Sequence, residues 1–251
     1  MTRARAARII LVGLGVWAAI GYLAVLTIFL VAKPDPADPA KFLDQRAIIF
    51  MGGLLLLIWC LMGGIAQRLV RDRFVRLARR IPLGWPTRFV LLCLVFALLE
   101  EAVTTGLTNA APLLGGVTDA ARITASKNYL EVVCLHSVVV FWPSYIAWAV
   151  ILSLFDFAPV EAMLCYGLTG WLMELWTFGP QNIGMIGMWT FIYGLMVYLP
   201  ACTVPSDRKA RPARWWTWPL AVVVGLFAGV PFVPVVFVIR WLIGYVAPPG
   251  T

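Results

Sequence analysis

Long apolar runs separated by short polar segments dominate the pattern of this 251-residue chain. Six of these runs are each long enough to cross a hydrocarbon core of about 30 Å as a helix. They extend from about 9 to 32, from about 47 to 66, from about 89 to 109, and then near 130–155, 159–176 and 183–203. Pro143 is predicted to interrupt the fourth of them. The pattern predicts an all-α protein built as a polytopic helical membrane bundle.

The last apolar run, from Trp215 to Val246, has two interpretations because Pro231 and Pro234 interrupt it. A proline inside a helix removes a backbone hydrogen bond and bends the helix. The run therefore forms either one kinked span or a short hairpin of two spans. We predict seven or eight transmembrane spans in a single integral membrane domain, residues 1–251.

The composition excludes a soluble globular protein. Hydrophobic residues make up 62% of the chain and charged residues 13%, and the mean hydropathy is +0.89. The five cysteines lie in five different apolar runs, without the spacing of a zinc site or a disulfide framework. The lipid bilayer is the predicted partner, whereas the sequence leaves any cofactor and the oligomeric state undetermined.

The positive charge of the chain is concentrated between the apolar runs. Three arginines precede the first run, seven lie between Gln67 and Arg88, and four basic residues lie between Ser206 and Arg214. The positive-inside rule places these segments, and the N-terminus, in the cytoplasm of a prokaryotic plasma membrane. This distribution explains the net charge of +8 without nucleic-acid binding. The segment after Gln67 either sets topology alone or also lies as a helix on an anionic leaflet.

One half of the third predicted helix is polar. At about 100° per residue and with Glu100 at 0°, the polar side chains fall at 40° (Thr104), 80° (Thr108), 100° (Glu101), 140° (Thr105) and 180° (Asn109). A charged group near the middle of a bilayer costs about 2.5–3.5 kcal/mol. We therefore expect both glutamates to face protein or a wet cavity, with at least one of them protonated at neutral pH.

Further polar residues fall in the same outer half of the predicted membrane. Glu101 lies about 12 Å below the outer boundary, and His136, the only histidine, lies about 9 Å below it. We predict that these two side chains meet in one outward-opening cavity. Five other residues are predicted to line it, namely Asn128, Glu131, Glu174, Gln181 and Asn182.

Several functions are compatible with such a cavity. It binds or passes a proton, a cation or a small polar solute, with the glutamates as titrating or coordinating groups. A hydrolase acting on a peptide is the first alternative, with a glutamate as general base and His136 stabilising the oxyanion. A structural hydrogen-bond network in a scaffold or assembly subunit is the second. A metal held by the glutamates and His136 is chemically conceivable, although the residues do not predict one.

The hydrolase alternative carries a resemblance to a known family. Glu100 and Glu101 resemble the diglutamate of the CAAX-protease and bacteriocin-processing family of intramembrane glutamic proteases, whose pattern is EExxxR, FxxxH and HxxxN or HxxxD. In this chain Thr105 stands at the arginine position, and Val132 stands four residues before His136 where the family has phenylalanine. The third motif is absent because there is no second histidine. The resemblance implies a cytoplasm-facing cavity, whereas the charge pattern predicts an outward-facing one.

Overall fold

The computed structural model describes residues 1–34 and 36–230, and after these only positions 234, 238, 239 and 241. The regular structure of the described chain is helical except for one pair of two-residue strands, which confirms the predicted helical class. Four helices are long and apolar enough to cross a membrane, or five when one bent pair counts as a single span. The predicted number of seven or eight spans is not confirmed. Most of the ambiguous run after Val230 lies outside the described residues.

The first helix, α1 (Arg3–Val31), packs at the edge of the bundle. It begins after Thr2, whose hydroxyl accepts a hydrogen bond from the backbone N–H of Arg5. In the most apolar 18-residue stretch of this helix, only 6% is buried inside the protein. In the corresponding stretch of the segment Pro180–Cys202, 61% is buried. Most of the apolar surface of α1 is therefore available to lipid.

The second helix continues without a break from Pro39 to Ala78. It comprises α2 (Pro39–Leu55), a π-helical stretch (Leu56–Gly63) and α3 (Gly64–Ala78). Its 40 residues correspond to about 60 Å, twice the thickness of a hydrocarbon core. Most of the arginine-rich segment therefore continues the second helix, because no proline or glycine interrupts it between Gly64 and Ala78. Its contact with an anionic leaflet stays a prediction.

The third helix, α4 (Trp85–Asn109), is followed by a short 3₁₀ turn (Ala111–Leu114) and an irregular segment. The next predicted span is broken: α5 (Tyr129–Glu131) and a π-helical turn (Val132–His136) meet α6 (Val138–Leu154) at 50°. The sequence predicted the interruption at Pro143. The structure keeps Pro143 inside α6 and puts the bend at Ser137, where the backbone leaves helical geometry (φ −120°, ψ −69°).

The most extensive packing between two helices is that of α7 (Pro159–Phe178) and α8 (Ile186–Cys202), which are joined by a 3₁₀ segment (Pro180–Met185). They pack closely at Gly167, where a Cβ atom would lie 2.1 Å from the carbonyl oxygen of Thr190. A short parallel strand pair follows, β1 (Phe155–Asp156) with β2 (Arg211–Pro212), and the last described helix is α9 (Thr217–Phe227). Although predicted as a span, α7 is not among the helices that are apolar enough to cross a membrane unaided.

The two ends of the bundle differ in chemistry. At the end where α1 and α7 begin, Arg3 Nε lies 2.9 Å from Glu161 Oε1, and Arg208 Nη2 lies 2.8 Å from Asp156 Oδ1. We call this the basic end. The opposite end, the loop end, carries residues 110–128 folded over the start of α2. There Asp44 Oδ1 accepts hydrogen bonds from the backbone of Val117 and Thr118, at 2.7 and 3.0 Å.

Candidate functional site

The glutamate pair lies inside the protein. Glu100 is 5% exposed and Glu101 is 7% exposed, on the face of α4 that turns toward the rest of the bundle. The hydroxyl of Thr104 reaches the backbone oxygen of Glu100 at 3.1 Å and the Glu101 carboxylate at 3.4 Å. The hydroxyl of the buried Thr105 has no hydrogen-bond partner among the described residues. The polar face therefore contains a buried hydroxyl group that forms no hydrogen bond with the described residues.

A third carboxyl group joins the pair from another helix. Glu174 of α7 interacts electrostatically with both Glu100 and Glu101, and its carboxylate accepts a hydrogen bond from the hydroxyl of Tyr193 on α8. Gly170, one turn before Glu174, allows this approach, because a Cβ atom there would lie 2.1 Å from the Tyr193 ring. We call Glu100, Glu101 and Glu174 the acidic cluster. Two helices of the bundle thus supply three interacting carboxyl groups, of which Glu100 and Glu101 are buried and Glu174 is partly buried.

The sequence pattern predicted Glu174 as one of the residues that line a polar cavity, whereas Tyr193 was not predicted. The available signal was the spacing of Gly170 and Glu174, which puts a side-chain-free position and a carboxyl group on one face of α7. Such a pair marks a place where a neighbouring aromatic ring can reach a polar group. The tyrosine itself could not be identified without knowing that α8 packs there.

The broken span supplies further neighbours of the glutamates. Ser137, at the bend, lies beside the Glu101 carboxyl group, although its buried hydroxyl does not meet hydrogen-bond geometry. Tyr129 of α5 also interacts electrostatically with Glu101, and its hydroxyl donates to the backbone oxygen of Leu98 at 2.9 Å. The bend therefore brings the polar side chains of Ser137 and Tyr129 close to Glu101 and Leu98 on α4.

His136 Nε2 lies 3.7 Å from Glu131 Oε1, which makes the two side chains an ion pair when the imidazole is protonated. Glu131 in turn accepts a hydrogen bond from Ser126 at 2.8 Å. The histidine is next to Ser137 in sequence, so it belongs to the same bend. A direct contact between His136 and the glutamate pair, as the sequence suggested, stays a prediction.

Three predicted site residues hold the loop end in place. The Thr108 hydroxyl accepts hydrogen bonds from the backbone of Ile123 and from the hydroxyl of Thr124, at 3.2 and 3.0 Å. Asn109 donates to the backbone oxygen of Lys127 at 2.9 Å. The side chain of Asn128 accepts from the first backbone N–H groups of α5 and so caps that helix. The upper part of the polar face on α4 therefore anchors residues 110–128.

The two predicted site residues between α7 and α8 also have structural partners. The Asn182 side chain accepts a hydrogen bond from the Trp189 indole N–H at 3.0 Å, and its backbone oxygen accepts one from Trp171 at 3.0 Å. Gln181 donates to the backbone oxygen of Phe178. These contacts order the 3₁₀ connection, and none of them reaches the acidic cluster.

The two best-formed surface cavities of the described residues are not lined by the acidic cluster. The larger, about 610 Å³, lies at the basic end and includes Arg3, Glu161 and Arg208. The smaller, about 350 Å³, lies at the loop end between Pro112 and Lys127. The outward-opening cavity around the glutamates therefore stays a prediction.

The chemistry of the acidic cluster follows from its crowding. Carboxyl groups that share a buried site oppose simultaneous ionisation, and an uncompensated charge there is costly. Such a cluster takes up protons or positively charged ligands. In the part of the chain that the structure describes, no group of three or more His, Cys, Asp or Glu side chains is placed to hold a metal ion. The chain matches no protein-family model, no curated protein and no solved structure.

Proposed function

We propose that this chain binds or passes a proton or another small cation at the acidic cluster. The observation that carries the proposal is the electrostatic interaction of Glu174 on α7 with Glu100 and Glu101 on α4. Glu100 and Glu101 are buried and Glu174 is partly buried, and carboxyl groups in such a place need protons or other positive charge for neutralisation, because ionised groups removed from water are strongly disfavoured. If the only role of these residues were to hold the helices together, apolar side chains would serve better, because buried charged groups add little stability.

We further propose that the chain crosses a prokaryotic plasma membrane seven or eight times, with its N-terminus in the cytoplasm. Arg3, Arg71 and Arg208 all lie at the basic end, which the positive-inside rule assigns to the cytoplasm. In this arrangement α7 is a span whose polar side chains are covered by its neighbours. The acidic cluster then lies between the basic end and an outward-facing loop end.

The direct test is charge removal at the cluster in purified protein reconstituted into liposomes. Glu100 and Glu101 are replaced together by glutamine, and Glu174 is replaced separately. Uptake of protons, and of Na⁺ and K⁺ as probe cations, is measured by pH-indicator dye and by isotope flux. Asp119→Asn is the matched control, because this side chain is 92% exposed at the loop end. Loss of uptake in both cluster variants, with the control unchanged, is the expected result.

The same variants separate the alternatives. Unchanged proton and cation uptake in a folded double variant would contradict the proposal. Loss of peptide cleavage with retained folding would favour the hydrolase. An unfolded double variant, together with a folded Glu174→Gln that binds normally, would favour a purely structural network.

A further inference from the structure

The bend at Ser137 makes an unusual connection between the acidic cluster and the loop end. A π-helical turn precedes it, and the two halves of the span meet at 50°. π-helical turns are rare and are frequent at functional sites. Broken backbone at membrane depth is tolerated where protein or water satisfies the freed polar groups. The bend therefore leaves polar backbone groups exposed to their neighbours, whereas a regular helix would present only its side chains there.

Polar groups that can exchange protons lie on both sides of this stretch. The hydroxyl of Ser126 in the loop-end segment donates to Glu131 at 2.8 Å. The other oxygen of that carboxylate lies 3.7 Å from His136 Nε2. The next residue in the chain, Ser137, interacts with Glu101. Contacts thus join the outer segment to His136, and the chain places Ser137, beside the acidic cluster, directly after it.

Solvent exposure decreases from Glu131 to Glu101. The Glu131 side chain is 22% exposed and the His136 side chain is 15% exposed, whereas Glu101 is 7% exposed. Water therefore reaches the outer members more easily than the cluster. A hydrated ion or solute needs a cavity along its route, but a proton needs only neighbouring groups that exchange it.

We infer that the ligand of the acidic cluster is a proton, and that Glu131 and His136 carry it between the loop end and Glu101. This inference rests on the proposed function. In each step one proton leaves a donor and binds the next acceptor, so no electron moves and no other bond is broken. Glu131 exchanges with His136 at Nε2, and the imidazole exchanges with Glu101 by way of Ser137. Four titratable groups surround the two ends of this route: Glu131 and Tyr129 on α5, Glu100 on α4 and Glu174 on α7.

The test is proton movement in liposomes loaded with a pH-indicator dye, with the membrane potential clamped by valinomycin and K⁺. The variants are His136→Gln and Glu131→Gln, each measured separately so that misfolding of one leaves the other informative. Cys134→Ser is the matched control, because this exposed side chain lies on the same π-helical turn. We expect at least a tenfold slower rate for either route variant and an unchanged rate for the control. Glu131→Asp should restore part of the rate.

The outcomes distinguish the route from the cluster. Wild-type rates in both folded route variants, with proton movement abolished by the Glu100 and Glu101 double variant, would overturn the route and leave the proposed function intact. Cation uptake by the cluster without proton movement in the wild type would overturn the proton as ligand. Wild-type rates in the double variant as well would contradict the route and the proposed function together.

Discussion

The hydroxyl of Tyr193 donates a hydrogen bond to the carboxylate of Glu174 and thereby joins α8 to α7 at the acidic cluster. The Tyr193 ring also contacts Phe141 of α6, with the ring centroids 5.4 Å apart at 81°. One side chain thus links three helices, with its apolar ring in the core and its hydroxyl at the carboxyl groups.

Tyr193→Phe tests this link. The ring contacts remain while the donor is lost, and a buried carboxyl group loses a partner, so we expect a loss of about 1–2 kcal/mol in stability. Thermal unfolding in detergent measures the change. A double-mutant cycle with Glu174→Gln isolates the pair. Fully additive effects in the cycle would show that the two side chains do not interact in solution.

Close packing at Gly170 gives a second prediction. Gly170→Ala places a Cβ atom about where the Tyr193 ring lies, since the nearest ring carbons would be 2.1 Å away. Overpacking of this kind costs about 1–3 kcal/mol, and it should also weaken proton or cation uptake by moving Tyr193. Gly106→Ala is the matched helical control, because nothing lies within 4 Å of its added Cβ atom. Equal effects of both changes would refute the packing argument.

The apolar runs predicted the existence of most helices, and the residues of α4 predicted its polar face. The continuous helix from Pro39 to Ala78 was not predicted, because an amphipathic, arginine-rich segment resembles a loop in hydropathy although arginine is a good helix former. The bend was assigned to Pro143 because proline is the usual helix breaker. The structure puts it at Ser137, where tertiary contacts decide the backbone.

Sequence patterns could not predict which groups the polar residues would contact. Helix periodicity placed Thr108 and Asn109 on the same face as the glutamates, but it could not show that they hold residues 110–128. It could not predict the interaction of Glu174 with Glu100 either, because that interaction depends on how α8 packs against both α4 and α7. Positions on one helix follow from the sequence, whereas contacts between helices depend on packing.

The basic end gives a third prediction. Glu161 is almost fully buried, with its side chain 2% exposed, and it binds Arg3 at 2.9 Å and the Trp218 indole N–H at 3.1 Å. Arg3→Gln leaves this carboxylate without its cation, which should cost about 2 kcal/mol. Arg5→Gln is the control, since Arg5 is exposed on the same helical turn. The thermal midpoint should fall only for Arg3→Gln, and equal midpoints would show that the ion pair is not stabilising.

The extension of the second helix gives the last prediction, which concerns lipid. The side chain of Arg71 contacts Tyr198 near the end of α8, so the helix continues about 10 Å beyond this contact to Ala78. That distance exceeds the thickness of one headgroup layer, which is about 5–8 Å. The side chains there are exposed and of two kinds, apolar (Leu69, Leu77) and basic (Arg73, Arg76, Arg79 and Arg80). Apolar and basic groups on one helical surface are typical of binding to anionic lipid.

We therefore expect this protein to enrich phosphatidylglycerol over phosphatidylcholine in mixed-lipid nanodiscs, as measured by native mass spectrometry. Changing Arg73, Arg76, Arg79 and Arg80 to glutamine should remove most of the enrichment, because each charge near an anionic surface contributes about 1 kcal/mol. Changing the same four residues to lysine keeps the charge and should preserve it. High salt should weaken the enrichment in the wild type. Undiminished enrichment in the glutamine variant would show that the arginines do not bind headgroups, and an acidic cytoplasmic protein would then be the partner to test.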